Sequence, residues 1–170
     1  MSTPRHDLGL ARVVKADAVG TPGKRVFRLT AEAERGSAVV TVEKEQLSAL
    51  ALGIQRLMEE IKEVPMGAYR SATEVSPEPS FEFRAYSLGL AYDQGDHTFA
   101  ILAYDEEDAR RDVPTVSCSF SRKQAASFAD DALELASAGR PSCFLCKQPM
   151  DPEGHVCPMS NGHKSVADEL

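Results

Sequence analysis

The sequence predicts an α+β protein: a duplicated unit of three antiparallel strands and a helix, ending in a small C-terminal zinc-knuckle or ribbon-like tail. Three observations lead there. An apolar helical stripe occurs twice, offset by 78 residues. Each stripe follows short alternating, β-branched or aromatic runs separated by turn residues. After the second stripe the pattern dissolves into a Pro- and Gly-dense segment carrying three of the chain's 4 cysteines.

Taken in order, Leu10 to Val19, Arg25 to Ala33 and Ala38 to Val42 read as strands. Gly20-Thr21-Pro22-Gly23 and Glu34-Arg35-Gly36 supply the turns between them. Leu47, Leu50, Ala51, Ile54, Leu57 and Met58 then recur at helical spacing, opposite Glu59, Glu60 and Lys62, predicting a helix over about 44–62. Val64 to Ser80, with Pro65, Gly67, Pro77 and Pro79, reads as an irregular join. Phe81 to Tyr92, Thr98 to Tyr104 and Thr115 to Phe120 form the second strand set, with a hairpin turn at Asp93-Gln94-Gly95-Asp96. Ala125, Phe128, Ala129, Ala132, Leu135 and Ala136 repeat the first helical stripe over about 122–138. Ser121-x-x-Gln124 opens that helix as a capping box, and Gly139 with Pro141 ends it. Antiparallel meanders need a covering layer on their apolar face, so the two units are expected to pack into one pseudo-twofold body. The expected organisation is that body over 1–138 (repeats about 10–62 and 81–138), a Cys/His tail over 139–164, and a disordered terminus over 165–170.

Composition restricts function. With 170 residues, 42% hydrophobic and 26% charged, the chain can bury a real core. A net charge of −7 argues against broad nucleic-acid or anionic-membrane binding, which depends on a basic face. No apolar run approaches the roughly 18 residues of a membrane span, and Met1 to Arg12 lacks a signal-type stretch, so a cytoplasmic protein is expected.

The tail carries the most specific chemistry. Cys143-x-x-Cys146 has the knuckle spacing that brings two thiolates to one tetrahedral ion, and His155-x-Cys157-Pro158 follows past the turn-forming Asp151-Pro152-Glu153-Gly154. Cys143, Cys146, His155 and Cys157 thus make a Cys₃His set suited to Zn²⁺, with His163 as the runner-up fourth ligand. A segment with so few large apolar residues cannot order itself by burial, which favours a metal. The rival is a redox pair, but such motifs open a helix after a strand, whereas this one follows a helix. Arg140, Lys147 and Lys164 exceed Asp151 and Glu153 by a single charge, and three thiolates with Zn²⁺ bring the tail to neutrality. A neutral knuckle is a poor phosphate binder and a better docking or rigidifying element.

On these residues the chain resembles an uncharacterised bacterial family known as domain of unknown function 3090. The resemblance rests on Gly139-Arg140-Pro141-x-Cys143-x-x-Cys146, on Asp151-Pro152-x-Gly154-His155-x-Cys157-Pro158 and on Asn161-Gly162. Glu82-Phe83-Arg84, Leu88-Gly89-Leu90, Asp93 and Lys44-x-Gln46 also follow the family's pattern. Members often carry tyrosine at the place of His163, so the resemblance implies His155 as ligand. It implies no activity. By genome context, it implies association with a histidine-phosphatase-like and a lipid-kinase-like family.

Other candidates have plainer readings. Asp105-Glu106-Glu107-Asp108 reads as a solvated loop rather than a cation site. His97 lies at a hairpin edge with no nucleophile elbow nearby, and His6 in a mobile terminus. Cys118 reads as a buried strand residue, and Gly20-x-x-Gly23 as a turn without a phosphate loop's context. Tyr86, Tyr92, Phe99 and Tyr104 read as packing rather than base-stacking residues in so acidic a chain. With no catalytic constellation, the expected function is a zinc-binding protein-interaction or adaptor module with a protein partner. The alternatives are a metal-dependent hydrolase-like enzyme with an open zinc position and, less favoured by charge, a nucleic-acid-binding protein.

Overall fold

The computed structural model describes residues 3–21, 23–61 and 80–138, together with Cys143, Leu145, Cys146, Cys157 and Met159. Strands β1 (His6–Val19), β2 (Val26–Ala33) and β3 (Gly36–Val42) precede helix α1 (Lys44–Glu60). Strands β4 (Phe81–Arg84), β5 (Ser87–Asp93) and β6 (Thr98–Tyr104) follow, then short helix α2 (Glu106–Arg110), β7 (Val116–Phe120) and α3 (Arg122–Ser137). The anticipated α+β class holds. The join over 62–79, the tail outside its five described residues, and 165–170 lie outside the described residues.

The seven strands among the described residues belong to one sheet, ordered β4-β3-β2-β1-β7-β6-β5. β1–β7 and β3–β4 run parallel, and the other neighbours antiparallel. Only Ala85 and Tyr86 separate β4 from β5. The Ala85 amide donates to the Thr41 carbonyl of β3, and the Tyr86 amide to the Tyr104 carbonyl of β6, each at 2.8 Å. The two ends of the sheet are therefore one bent stretch of chain, and the sheet curls until they meet. The run from Phe81 to Tyr92, expected as one strand, breaks here because its two halves pair with different neighbours. β1 changes partner in the same manner. His6 to Leu10 pair with β7, and Ala11 to Val19 with β2, with a register shift between Ala11 and Val13.

Alternation along the strands sends one set of side chains into a single core. Phe27, Leu29, Val40, Val42, Phe99, Ile101, Val116 and Phe120 meet Leu47, Leu50, Ile54, Phe128 and Ala132 from the two long helices there. α1 and α3 pack on each other, with the end of one against the start of the other. Arg122, the first residue of α3, donates to the carbonyls of Ile61 (2.6 Å) and Met58 (3.0 Å), satisfying orphan acceptors at the end of α1. Gln at the third position of each helix closes its start. Gln46 Oε1 accepts from the Glu43 amide at 2.8 Å, and Gln124 Oε1 from the Ser121 amide at 2.9 Å. The same two side chains reach across the fold: Gln46 Nε2 donates to the Tyr86 carbonyl (3.0 Å), and Gln124 Nε2 to those of Ala11 (3.1 Å) and Arg12 (3.2 Å). Each helix thus grips the bend of a strand from the opposite half of the sequence. Gly20 sits at φ +110°, with the space for a Cβ only 2.6 Å from the Lys24 carbonyl oxygen, so the β1–β2 turn requires glycine.

Two expectations are corrected. His6 is not in a mobile terminus: it begins β1, four residues before the expected start, and its ring lies 4.3 Å from that of Phe81. The acidic run is not a solvated loop. Asp105 caps α2 by accepting from the Asp108 amide at 2.7 Å. Asp108 itself is 2% exposed, with its carboxylate 3.2 Å from the Arg5 guanidinium. The charge pattern alone does not reveal this, because the partner lies 103 residues away in sequence.

Candidate metal centre

α3 ends with the Ala138 amide donating to the Glu134 carbonyl, and the Arg25 guanidinium donates to the Ala138 carbonyl at 2.6 Å. The knuckle begins shortly after this anchored end. Leu145 and Cys146 occupy a turn, which points their amides back toward the sulfur of Cys143. The Cys146 amide chiefly holds the Cys143 thiol below its ordinary pKa, against burial, with help from the Leu145 amide and the Cys146 and Cys157 side chains. Cys157, 14 residues further along, brings its Sγ to 3.8 Å from that of Cys143. The sulfurs of Cys143, Cys146 and Cys157 all lie within 4.8 Å of one another. Cys143 and Cys157 are buried, while Cys146 is half-buried. All 4 cysteines are thiols.

This cluster can hold a metal ion: three sulfur donors converge on one point, and amide dipoles favour the thiolate form that binds metal. His155 and His163 both lie outside the described residues. The signal that sequence reasoning lacked was the Cys146 and Leu145 amides, backbone groups set by the Cys-x-x-Cys spacing rather than by side-chain identity.

The remaining candidates are scattered. Cys118 sits on β7, its thiol 3.7 Å from the Gly9 carbonyl oxygen, and burial with the nearby Asp7 carboxylate pushes its pKa up to about 12. His97 occupies the β5–β6 turn at φ +54°, its Nδ1 3.3 Å from the Tyr92 hydroxyl. Phe99 is fully buried between Tyr92 and Phe120, whereas Tyr86 is 64% exposed beside the strand bend. Apart from the Tyr92–His97 contact, none of these forms a nucleophile–base pair with another among the described residues. No helix among them is long and apolar enough to cross a membrane.

Fold and cluster together define a curled-sheet α+β protein with a three-cysteine centre near its C-terminus. The chain belongs to the family described as protein of unknown function (DUF3090), whose model matches residues 6–157 and so takes in all three cysteines. Among curated proteins and solved structures, none matches it.

Proposed function

We propose that the chain is a zinc-binding interaction module in which Cys143, Cys146 and Cys157, with His155 as fourth ligand, hold a structural Zn²⁺. The carrying observation is sulfur geometry. At Zn–S bonds of about 2.3 Å, tetrahedral ligands place their sulfurs about 3.8 Å apart, and the Cys143–Cys157 separation is 3.8 Å. His155 is two residues from Cys157 in sequence, with His163 the alternative. When bound, the ion supplies the cross-link that the Pro- and Gly-dense tail cannot obtain from burial. Thiols kept for a metal suit the reducing cytosol, where we place the protein.

The same reading takes the body as two copies of a strand–strand–strand–helix unit. Its support is the reciprocal pairing of β1 with β7 and of β3 with β4, and the matching reach of Gln46 and Gln124.

Metal content of untagged protein, with Cys146→Ser and His155→Ala alongside, tests the site. One zinc per chain, lost in the first variant and weakened in the second while the body keeps its circular dichroism, is expected. Absence of metal from freshly reduced protein refutes the reading. X-ray absorption then separates the functions, since a water in the first shell would replace the structural site by the hydrolase-like one.

A further inference from the structure

A groove of about 530 Å³ lies on the face of β5, β6 and β7 turned away from the core. It arises from small side chains. Ala100 on β6 stands beside Ser119 on β7, and Leu102 beside Ser117, so the floor is recessed where larger residues would fill it. Tyr104 closes one end, and its hydroxyl pKa is raised, first by burial and then by the charge of Asp112. The other end is the β5–β6 turn, where Asp93 accepts from the amides of Gly95 (2.7 Å) and Asp96 (3.0 Å). Among the described residues, the charged ones lining the groove are Asp93, Asp96 and Asp112, all exposed and all of one sign. The nearby cations Arg110 and Arg111 are engaged by Glu106 and Glu107 at 2.6 Å each.

We propose that this groove docks an extended, basic segment of a partner protein, with a cationic side chain at each end of the groove and small residues between. Charge complementarity selects the sign of the partner. The dimensions select its form: from Thr98 to Tyr104 β6 rises about 20 Å at about 3.3 Å per residue, matching two cations six residues apart on an extended chain. A floor of short side chains along β6 and β7 admits such a chain. The inference rests on the interaction-module reading but not on the metal, since no cysteine lines the groove.

The test is a ¹⁵N-resolved titration of the full chain as purified with the capped peptide Arg-Ser-Val-Thr-Val-Ser-Arg. Controls are a peptide of the same composition with adjacent arginines, and arginine amide. Saturable shifts confined to β5, β6 and β7 are expected, weakened about tenfold by the double substitution Asp96→Asn, Asp112→Asn, which removes two groove charges. Asparagine tolerates the left-handed backbone at residue 112, where φ is +52°. Asp131→Asn with Glu134→Gln removes as many charges from the exposed face of α3, on the other side of the sheet, and is expected to leave affinity within about twofold. Equal weakening by both pairs overturns the proposal, as does absence of saturation or equal binding of the adjacent-arginine peptide or arginine amide. Shifts that depend on protein concentration without peptide would assign the face to self-association instead. Zinc content measured in the same samples separates failure here from failure of the metal site.

Discussion

Replacing Gln124 by alanine is expected to destabilise the fold by about 2 to 3 kcal/mol, at roughly 0.5–1.5 kcal/mol net per hydrogen bond and with some shared between acceptors. Its Oε1 lies 2.9 Å from both the Ser121 amide and the Ser121 hydroxyl, and its Nε2 serves the Ala11 and Arg12 carbonyls at the bend of β1. Gln46 makes one bond at each end, both solvent-exposed, so Gln46→Ala is expected to cost only about 1 kcal/mol. Alanine's better helix propensity offsets a few tenths of a kcal/mol in both variants. Gln124→Glu keeps the capping acceptor but turns a carboxylate oxygen toward two carbonyls, so it is expected to be no more stable than the alanine variant. Urea unfolding with linear extrapolation measures all three, provided the slope is unchanged. Loss of less than about 0.5 kcal/mol in Gln124→Ala, or a glutamate variant more stable than the alanine one, would refute the clamp.

Two further outcomes are expected. Above pH 9.0 the unfolded chain releases the Cys118 proton, while the folded chain keeps it up to about 12. Stability from this group is therefore complete below 9.0 and falls as pH rises through that window, by up to about 1.4 kcal/mol per unit. Cys118→Ala is expected to flatten the alkaline limb of urea midpoints, and an unchanged slope would contradict that assignment. The Arg5–Asp108 pair is asymmetric, with side chains 50% and 3% exposed. Arg5→Ala, which strips the partner from a buried carboxylate, is expected to cost about 2 kcal/mol, more than Asp108→Asn. Thermal unfolding checks the order.

Local signals carried far in this chain, and long-range ones did not. Alternation in Val26 to Ala33 and in Thr98 to Tyr104 marks which side chains face the core, because a half-covered sheet imposes period two. The stripe of Leu47, Leu50, Ala51 and Ile54 likewise marks the buried face of α1. The Cys-x-x-Cys spacing placed two sulfurs together and the third cysteine joined them, since a knuckle is built from local backbone. The bend at Ala85 and Tyr86 was not legible, because what breaks the strand is a change of partner from β3 to β6 and not any residue at the break. Asp108 escaped notice for a similar reason: four acidic residues in a row resemble a solvated run until Arg5 reaches one of them.

The parallel pairing of β1 with β7 places His6 beside Val116, 110 positions later in the chain. Translation at about 5–20 residues per second separates the making of those two strands by roughly 5–20 s. Throughout that interval the start of β1 has emerged without the neighbour that will hold it, and Gln124, which grips its bend, is made later still. The nascent first half therefore carries an unpaired strand edge that only the last third of the chain can satisfy.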